Sequence, residues 1–232
     1  MKHHTLKSFD AKMNDISNNI VKMGEKVVDS VHLCGKALQS NDEDLITNAK
    51  IVEKEINALS DLIEQQVTEC IALMNPMAVD LRFITSALRI AISLERAGDM
   101  AKSITKRMVR LQTQLPELVL QKLQALVQVD VEMLNQALEA VGQRSQEKAL
   151  SVWRRDDEAD DLCRDALNAG REAMQANPND AHLLMDVLFA AKNLERIADY
   201  ATSLAKTVYY VESGERPKKS LLANETLLDI DK

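Results

Sequence analysis

Apolar side chains recur every three or four residues over nearly the whole chain, the period of amphipathic helices. The first stripe is Leu6, Phe9, Met13, Ile16, Ile20, Met23, Val27 and Val31. It breaks at residues 39–42, where Asn41 or Asp42 is placed to cap a second helix. That helix carries Leu45, Ala49, Val52, Ile56, Leu59, Ile63, Val67 and Met74, and Asn75-Pro76 ends it. A third helix is expected to start at the proline, as a first-turn residue, and to run to about Leu111. After Leu115-Pro116 a fourth covers about 117–142, closed by residues 142–145, and a fifth covers about 146–175. Asn177-Pro178-Asn179 separates the fifth from a sixth that ends before Gly214. Long helices with short connections are antiparallel bundle neighbours, so the pattern predicts an all-α fold of six long helices.

An internal repeat divides them. At an offset of 100 residues, without a gap, Asp80, Leu88, Ala91, Leu94, Glu95, Arg96, Asp99, Ala101, Ser103 and Lys106 all recur. The core of the match is Leu94-Glu95-Arg96-x-x-Asp99 against Leu194-Glu195-Arg196-x-x-Asp199. The expected organisation is two tandem three-helix bundles, residues 1–114 and 115–213, followed by a mobile or docking tail, 214–232.

Composition narrows the function classes. Only 6 Gly and 4 Pro punctuate 232 residues, which excludes a many-stranded sheet. The net charge of −7 argues against a nucleic-acid partner, since phosphate neutralisation needs a basic surface. No apolar run reaches 18 residues, so no membrane span is expected. Cys34, Cys70 and Cys163 form no Cys-x-x-Cys and fit buried positions in a reducing compartment, so the expected location is the cytoplasm.

The chemistry lies where carboxylates meet the apolar stripes. In the second helix the face Ile46, Ala49, Glu53, Ile56, Ser60, Ile63 is interrupted by Glu53, with Asn57 one turn on. In the third, Glu95 follows Ile84, Leu88 and Ala91, beside Gly98 and one turn before Asp99. The fifth carries Asp156 in the stripe Ala149, Val152, Asp156, Ala159, Cys163, with Asp160 following. The sixth repeats the third with Glu195, Ala198 and Asp199. Like charges one turn apart destabilise a helix, and burying them unpaired costs several kcal/mol more. Oxygen-only ligand sets suit hard cations such as Mg²⁺, Ca²⁺, Mn²⁺ or iron, and Gly98 and Ala198 are expected to leave room for an ion. The competing reading is a set of solvated acidic faces, with Arg96, Lys102, Arg154 and Arg155 making surface ion pairs of under about 1 kcal/mol each.

With these residues in view, the sequence resembles the PhoU family, accessory and regulatory proteins of bacterial phosphate transport. The motifs that carry the resemblance are Pro76-x-Ala78-x-Asp80-Leu81-Arg82, Glu95-Arg96-Ala97-Gly98-Asp99, Asp156-x-x-x-Asp160 and Glu195-Arg196-Ile197-Ala198-Asp199. The resemblance implies two three-helix bundles, a homodimer, and metal clusters at acid-x-x-x-acid motifs. It also implies a negative role in phosphate-starvation signalling, between a phosphate ABC transporter and a membrane sensor histidine kinase, without enzymatic activity. The metal ligands it implies are Glu53, Asn57, Glu95 and Asp99 in the first half, and Asp156, Asp160, Glu195 and Asp199 in the second. Iron or manganese is favoured, with Mg, Ca and Zn as alternatives. Asn57 departs from the motif, which calls for an acid there, so weaker binding is expected in the first half. A carboxylate-bridged metal enzyme of redox or hydrolytic type is the alternative.

Overall fold

The computed structural model describes residues 2–111 and 115–223, with side chains from Phe9 to Leu222, Asp180 excepted. It is all-α. The long helices are α1 (Lys2–Ala37), α2 (Asp44–Met74), α3 (Ala78–Val109), α4 (Glu117–Gln143), α6 (Asp156–Ala176) and α7 (Ala181–Ser213). Two short ones, α5 (Gln146–Arg154) and α8 (Ser220–Ala223), and a 3-10 turn (Pro178–Asp180) before α7 complete the order.

The fifth expected helix is therefore two. Arg155 breaks it with φ −85° and ψ −3°, and its N–H turns back to Val152 O at 3.0 Å. Its guanidinium then bridges Glu132 on α4 and Glu158 on α6, at 2.9 and 2.8 Å. Asp156, Asp157 and Glu158 fill the first turn of the new helix, where the macrodipole favours anions. The third helix also starts later than expected. Pro76 disfavours right-handed helical backbone in the residue before it. Asn75 takes a left-handed conformation (φ 47°) and closes α2, Met77 is extended, and α3 begins at Ala78. The cap position of α2 falls to Glu43, without a side-chain cap bond, rather than to Asn41 or Asp42, although Asp42 receives the Asp44 N–H at 3.0 Å.

α1, α2 and α3 pack on one another, and α4, α5 and α7 do the same, with α6 against α4 and α7. α1 meets α4 and α3 meets α7, so the apolar interior is one continuous cluster rather than two. Ile20, Met23, Ile56, Ile84, Leu94, Leu123 and Met133 are fully buried in it, each stabilising the fold by about 1.5–3 kcal/mol. Gly24 on α1 packs against α4: a Cβ there would lie 2.1 Å from Leu138 Cδ2, so any other residue has to push that side chain aside. The repeat is visible in burial: residues 91–100 and 191–200 show the same order of buried, half-buried and exposed positions. Of the expected tail, α8 rests against α5, while residues 224–232 lie outside the described residues.

Candidate functional site

In the first half the acidic side chains find partners within the protein. Lys102, on α3, reaches Glu53 Oε1 at 2.9 Å and Asp99 Oδ1 at 2.8 Å. Burial alone lowers the Lys102 pKa, but hydrogen bonds to Asp99 and Glu53 outweigh it and hold the ammonium charged. Ser60 Oγ donates to Glu95 Oε2 at 2.8 Å, and Asn57 Nδ2 donates to Glu53 Oε1 at 3.2 Å. Asn57 thus acts through its amide nitrogen. The room expected beside Gly98 is taken by a side chain, since a Cβ there would meet Ile56 Cδ1 at 2.7 Å.

The second half has the same motif in a different electrostatic setting. The residue 100 positions beyond Lys102 is Thr202, buried and with no partner for its hydroxyl. Two cations reach the cluster: Lys192 pairs with Glu195, and Lys206 acts on Asp199. Cys163 Sγ also donates to Glu195 Oε2, at 3.5 Å. Its thiol is pushed up to about 11, first by burial and then by Glu195. The Asp160 carboxyl is raised by burial, then by Glu195, Asp156 and Asp157. Asp199, though much of it is exposed, is raised by desolvation of its carboxyl and then by Asp156, Asp160 and Glu195. These four acids therefore sit within one another's fields, and a bound proton or cation relieves them. Asp156 does not interrupt a continuous stripe, as the sequence led us to expect. It opens α6, half-buried, and also serves that helix's N-terminus.

The donor chemistry of the second half fits an oxygen-seeking cation; that of the first half does so only if Lys102 is displaced. Among the described residues, no three acidic, histidine or cysteine side chains stand around one point at ligating positions. Ligation would require the second-half carboxylates to rotate inward.

One acid escaped the sequence reading. Asp130, on α4, is 0% exposed, and neither carboxylate oxygen has a hydrogen-bond partner. Desolvation raises its pKa well above the carboxylate range, and Asp199 raises it further. Asp130 in turn contributes to the rise of the buried Cys34 thiol on α1, pushed up to about 12 chiefly by burial. The signal was present in the sequence. The α4 stripe Leu123, Leu126, Asp130, Leu134, Ala137 has the spacing of Ile20, Met23, Val27, Val31, Cys34 on α1, with an acid where α1 has valine.

The two repeats meet along α3 and α7, which run antiparallel. Arg82 Nε, near the start of α3, donates to Val211 O near the end of α7 at 3.2 Å. At the other end Arg107 pairs with Asp186 and lies over the Phe189 ring, 4.5 Å from its centroid. Between these ties is an open groove of about 710 Å³. Arg96 and Asp99 of one motif and Arg196 and Asp199 of the other line it together.

Comparison with known proteins places this arrangement. The family model described as PhoU domain matches residues 20–108 and again residues 123–208. The chain is 32% identical over 229 residues to a phosphate-specific transport system accessory protein PhoU homolog of Caulobacter vibrioides, covering 96% of this chain and 100% of that protein. It is 33% identical to the protein of the same name from Rhizobium meliloti, over 93% of this chain and 91% of that one. The fold is similar to the crystal structure of PhoU from Pseudomonas aeruginosa, with a TM-score of 0.84 and 27% identity over 89% of this chain and 100% of that chain. It is also similar to the phosphate transport system regulatory protein PhoU from Streptococcus pneumoniae, with a TM-score of 0.81 and 26% identity over 90% and 99%. Matched twice by the family's domain and aligned end to end with its members, the chain belongs to the PhoU family.

Proposed function

We propose that this protein is a non-enzymatic accessory and regulatory component of phosphate transport. It acts from the cytoplasm between a phosphate ABC transporter and a membrane sensor histidine kinase of the starvation response. The observation that carries this reading is the match, over 96% of the chain and the full length of the relative, to a protein named as an accessory of phosphate-specific transport. No helix among the described residues is long and apolar enough to cross a membrane, so its contact with membrane proteins is peripheral. The test is a reporter of phosphate-starvation genes in a strain lacking the protein, grown in abundant phosphate. The reporter is expected to stay on; repression as in the parent strain overturns the reading.

The second-half acids, Asp156, Asp160, Glu195 and Asp199, are the residues we assign to a metal ion, iron or manganese by preference. When bound, such an ion supplies the positive charge that Lys102 supplies in the first half. The raised carboxyls of Asp160 and Asp199 support this assignment. We also expect a homodimer, because symmetric dimers are the commonest soluble assembly. Light scattering that returns the single-chain mass of 25.9 kDa would count against it.

A further inference from the structure

The motif arginines do no structural work. Arg96 and Arg196 occupy equivalent places in the two repeats and line one groove, and neither has a hydrogen bond or ion pair among the described residues. Neither of the acids beside them pairs with either arginine among the described residues. Asp99 is held by Lys102 at 2.8 Å, and Asp199 belongs to the field of Asp156, Asp160 and Glu195. The floor of the groove adds Met100, Ser103, Asn193 and Tyr200.

The groove is elongated. It continues along α7 as a second depression of about 290 Å³, which shares Asn193 and Arg196 and adds Arg107, Met185, Leu188 and Lys192. From Met185 to Tyr200 along the helix is about 22 Å at 1.5 Å per residue. Of its large apolar lining residues Met185 is 60% and Leu188 39% accessible, and Ile92, one turn before Arg96 on α3, is 52% accessible. Arginine, methionine and aromatic side chains around such a trough are the composition of a protein-docking surface.

We propose that the α3/α7 groove docks an acidic peptide segment with apolar anchors, contributed by a partner protein. This rests on the accessory role proposed above. Carboxylates of the segment pair with Arg96 and Arg196, while its apolar side chains cover Met185, Leu188 and Ile92. A free oxyanion would satisfy the guanidinium groups but leave that apolar surface in water. A second copy of this chain fits poorly. A two-fold dimer through this face sets the patch against itself and brings four unpaired arginines together.

The test places the photo-reactive residue p-benzoylphenylalanine at Met185, with exposed Glu64 on α2 as the control position, in cells that express the full chain. The cross-linked fragment is then sequenced. The expected fragment is net acidic, carries large apolar residues, and comes from another protein at position 185 alone. Arg96→Glu with Arg196→Glu should weaken the cross-link about tenfold, and Arg96→Lys with Arg196→Lys should largely keep it. Both pairs should leave helical content and melting unchanged, since the arginines touch no partner. In parallel, inorganic phosphate titrated calorimetrically to millimolar concentration should give no saturable heat. The proposal is overturned by a neutral or basic fragment, a fragment of this chain itself, a cross-link indifferent to charge reversal, the absence of any cross-link at 185, or saturable phosphate binding that the arginine variants lose. The starvation reporter in the deletion strain reads the accessory role separately, so either reading can fail without the other.

Discussion

The two halves carry the same Leu-Glu-Arg-x-x-Asp motif on α3 and α7, with the same burial at each position, yet a different arrangement of charge around it. In the first half, Lys102 joins Glu53 and Asp99, and Ser60 supports Glu95. In the second, Thr202 stands in the lysine's place, and Asp160 and Asp199 are raised first by burial and then by the acids around them. A duplicated motif therefore does not carry a duplicated site. One residue three positions past the motif's final acid, lysine in one half and threonine in the other, changes which acids have a cation bridging them. The first half is held as a salt-bridge network, and the second is the half to which we assign the metal ion.

The largest effect that tests this contrast is on metal content. Asp156→Asn with Glu195→Gln should abolish bound iron or manganese, as measured by elemental analysis after reductive purification, while helical content is retained. Glu53→Gln with Glu95→Gln should leave the stoichiometry unchanged, because Lys102 already balances that half. Equal losses in the two pairs would erase the distinction between the halves. A metal-free wild type would return the second cluster to a solvated acidic face.

Lys102→Thr sharpens the same point from the other side. It gives the first half the residue of the second and strips Glu53 and Asp99 of their cation. These groups are partly exposed, so without metal the expected loss of stability is only about 1 kcal/mol. With Mn²⁺ present, the variant should recover stability in proportion to the logarithm of free metal, which the wild-type first half should not do. A variant whose melting temperature ignores Mn²⁺ would mean that geometry, not charge, keeps metal from that half.

Much of this architecture was legible in the chain. Stripes at a period of three to four fix α1 to α4 and α7 to within a few residues, and the 100-residue offset pairs α3 with α7. The break at Arg155 was not legible, because no Gly or Pro marks it. It depends on a tertiary bridge to Glu132, which a local pattern does not contain. Nor could spacing distinguish the halves electrically. Lys102 was visible as an ion-pair candidate, but its reach to both α2 and its own helix is a property of packing. The ion-sized gap expected at Gly98 failed for a related reason: a missing Cβ frees space, and a neighbouring helix takes it.

Asp130 gives another contrast, against Val27 at the matching place in the α1 stripe. Its carboxyl is raised in the folded state relative to about 3.9 unfolded. The folded protein then binds more protons than the unfolded chain between those two values, so the stability linked to Asp130 is greatest at acid pH and declines as pH rises above about 4. Asp130→Val should remove that slope. With chelator present, the variant should be more stable than wild type by about 1–3 kcal/mol at neutral pH, with a smaller gain near the unfolded pKa. Urea titrations at two pH values read both. A gain that does not change with pH would assign the effect to packing rather than to the buried charge.

The smallest effect concerns Gly98, whose counterpart is Ala198. An added Cβ would press on the Cδ1 end of Ile56, which is flexible, while the other Ile56 atoms lie 3.5 Å or more away. Overpacking costs about 1–3 kcal/mol and the gain in helix propensity returns about 1, so Gly98→Ala should destabilise by about 1 kcal/mol. Ile56→Val removes the one atom in conflict. In the double variant the two costs should fall short of additive by about 0.5–1 kcal/mol, a coupling a double-mutant cycle can resolve. Strict additivity, together with a fall in metal content in Gly98→Ala, would assign the space beside Gly98 to an ion after all and bring the first half back level with the second.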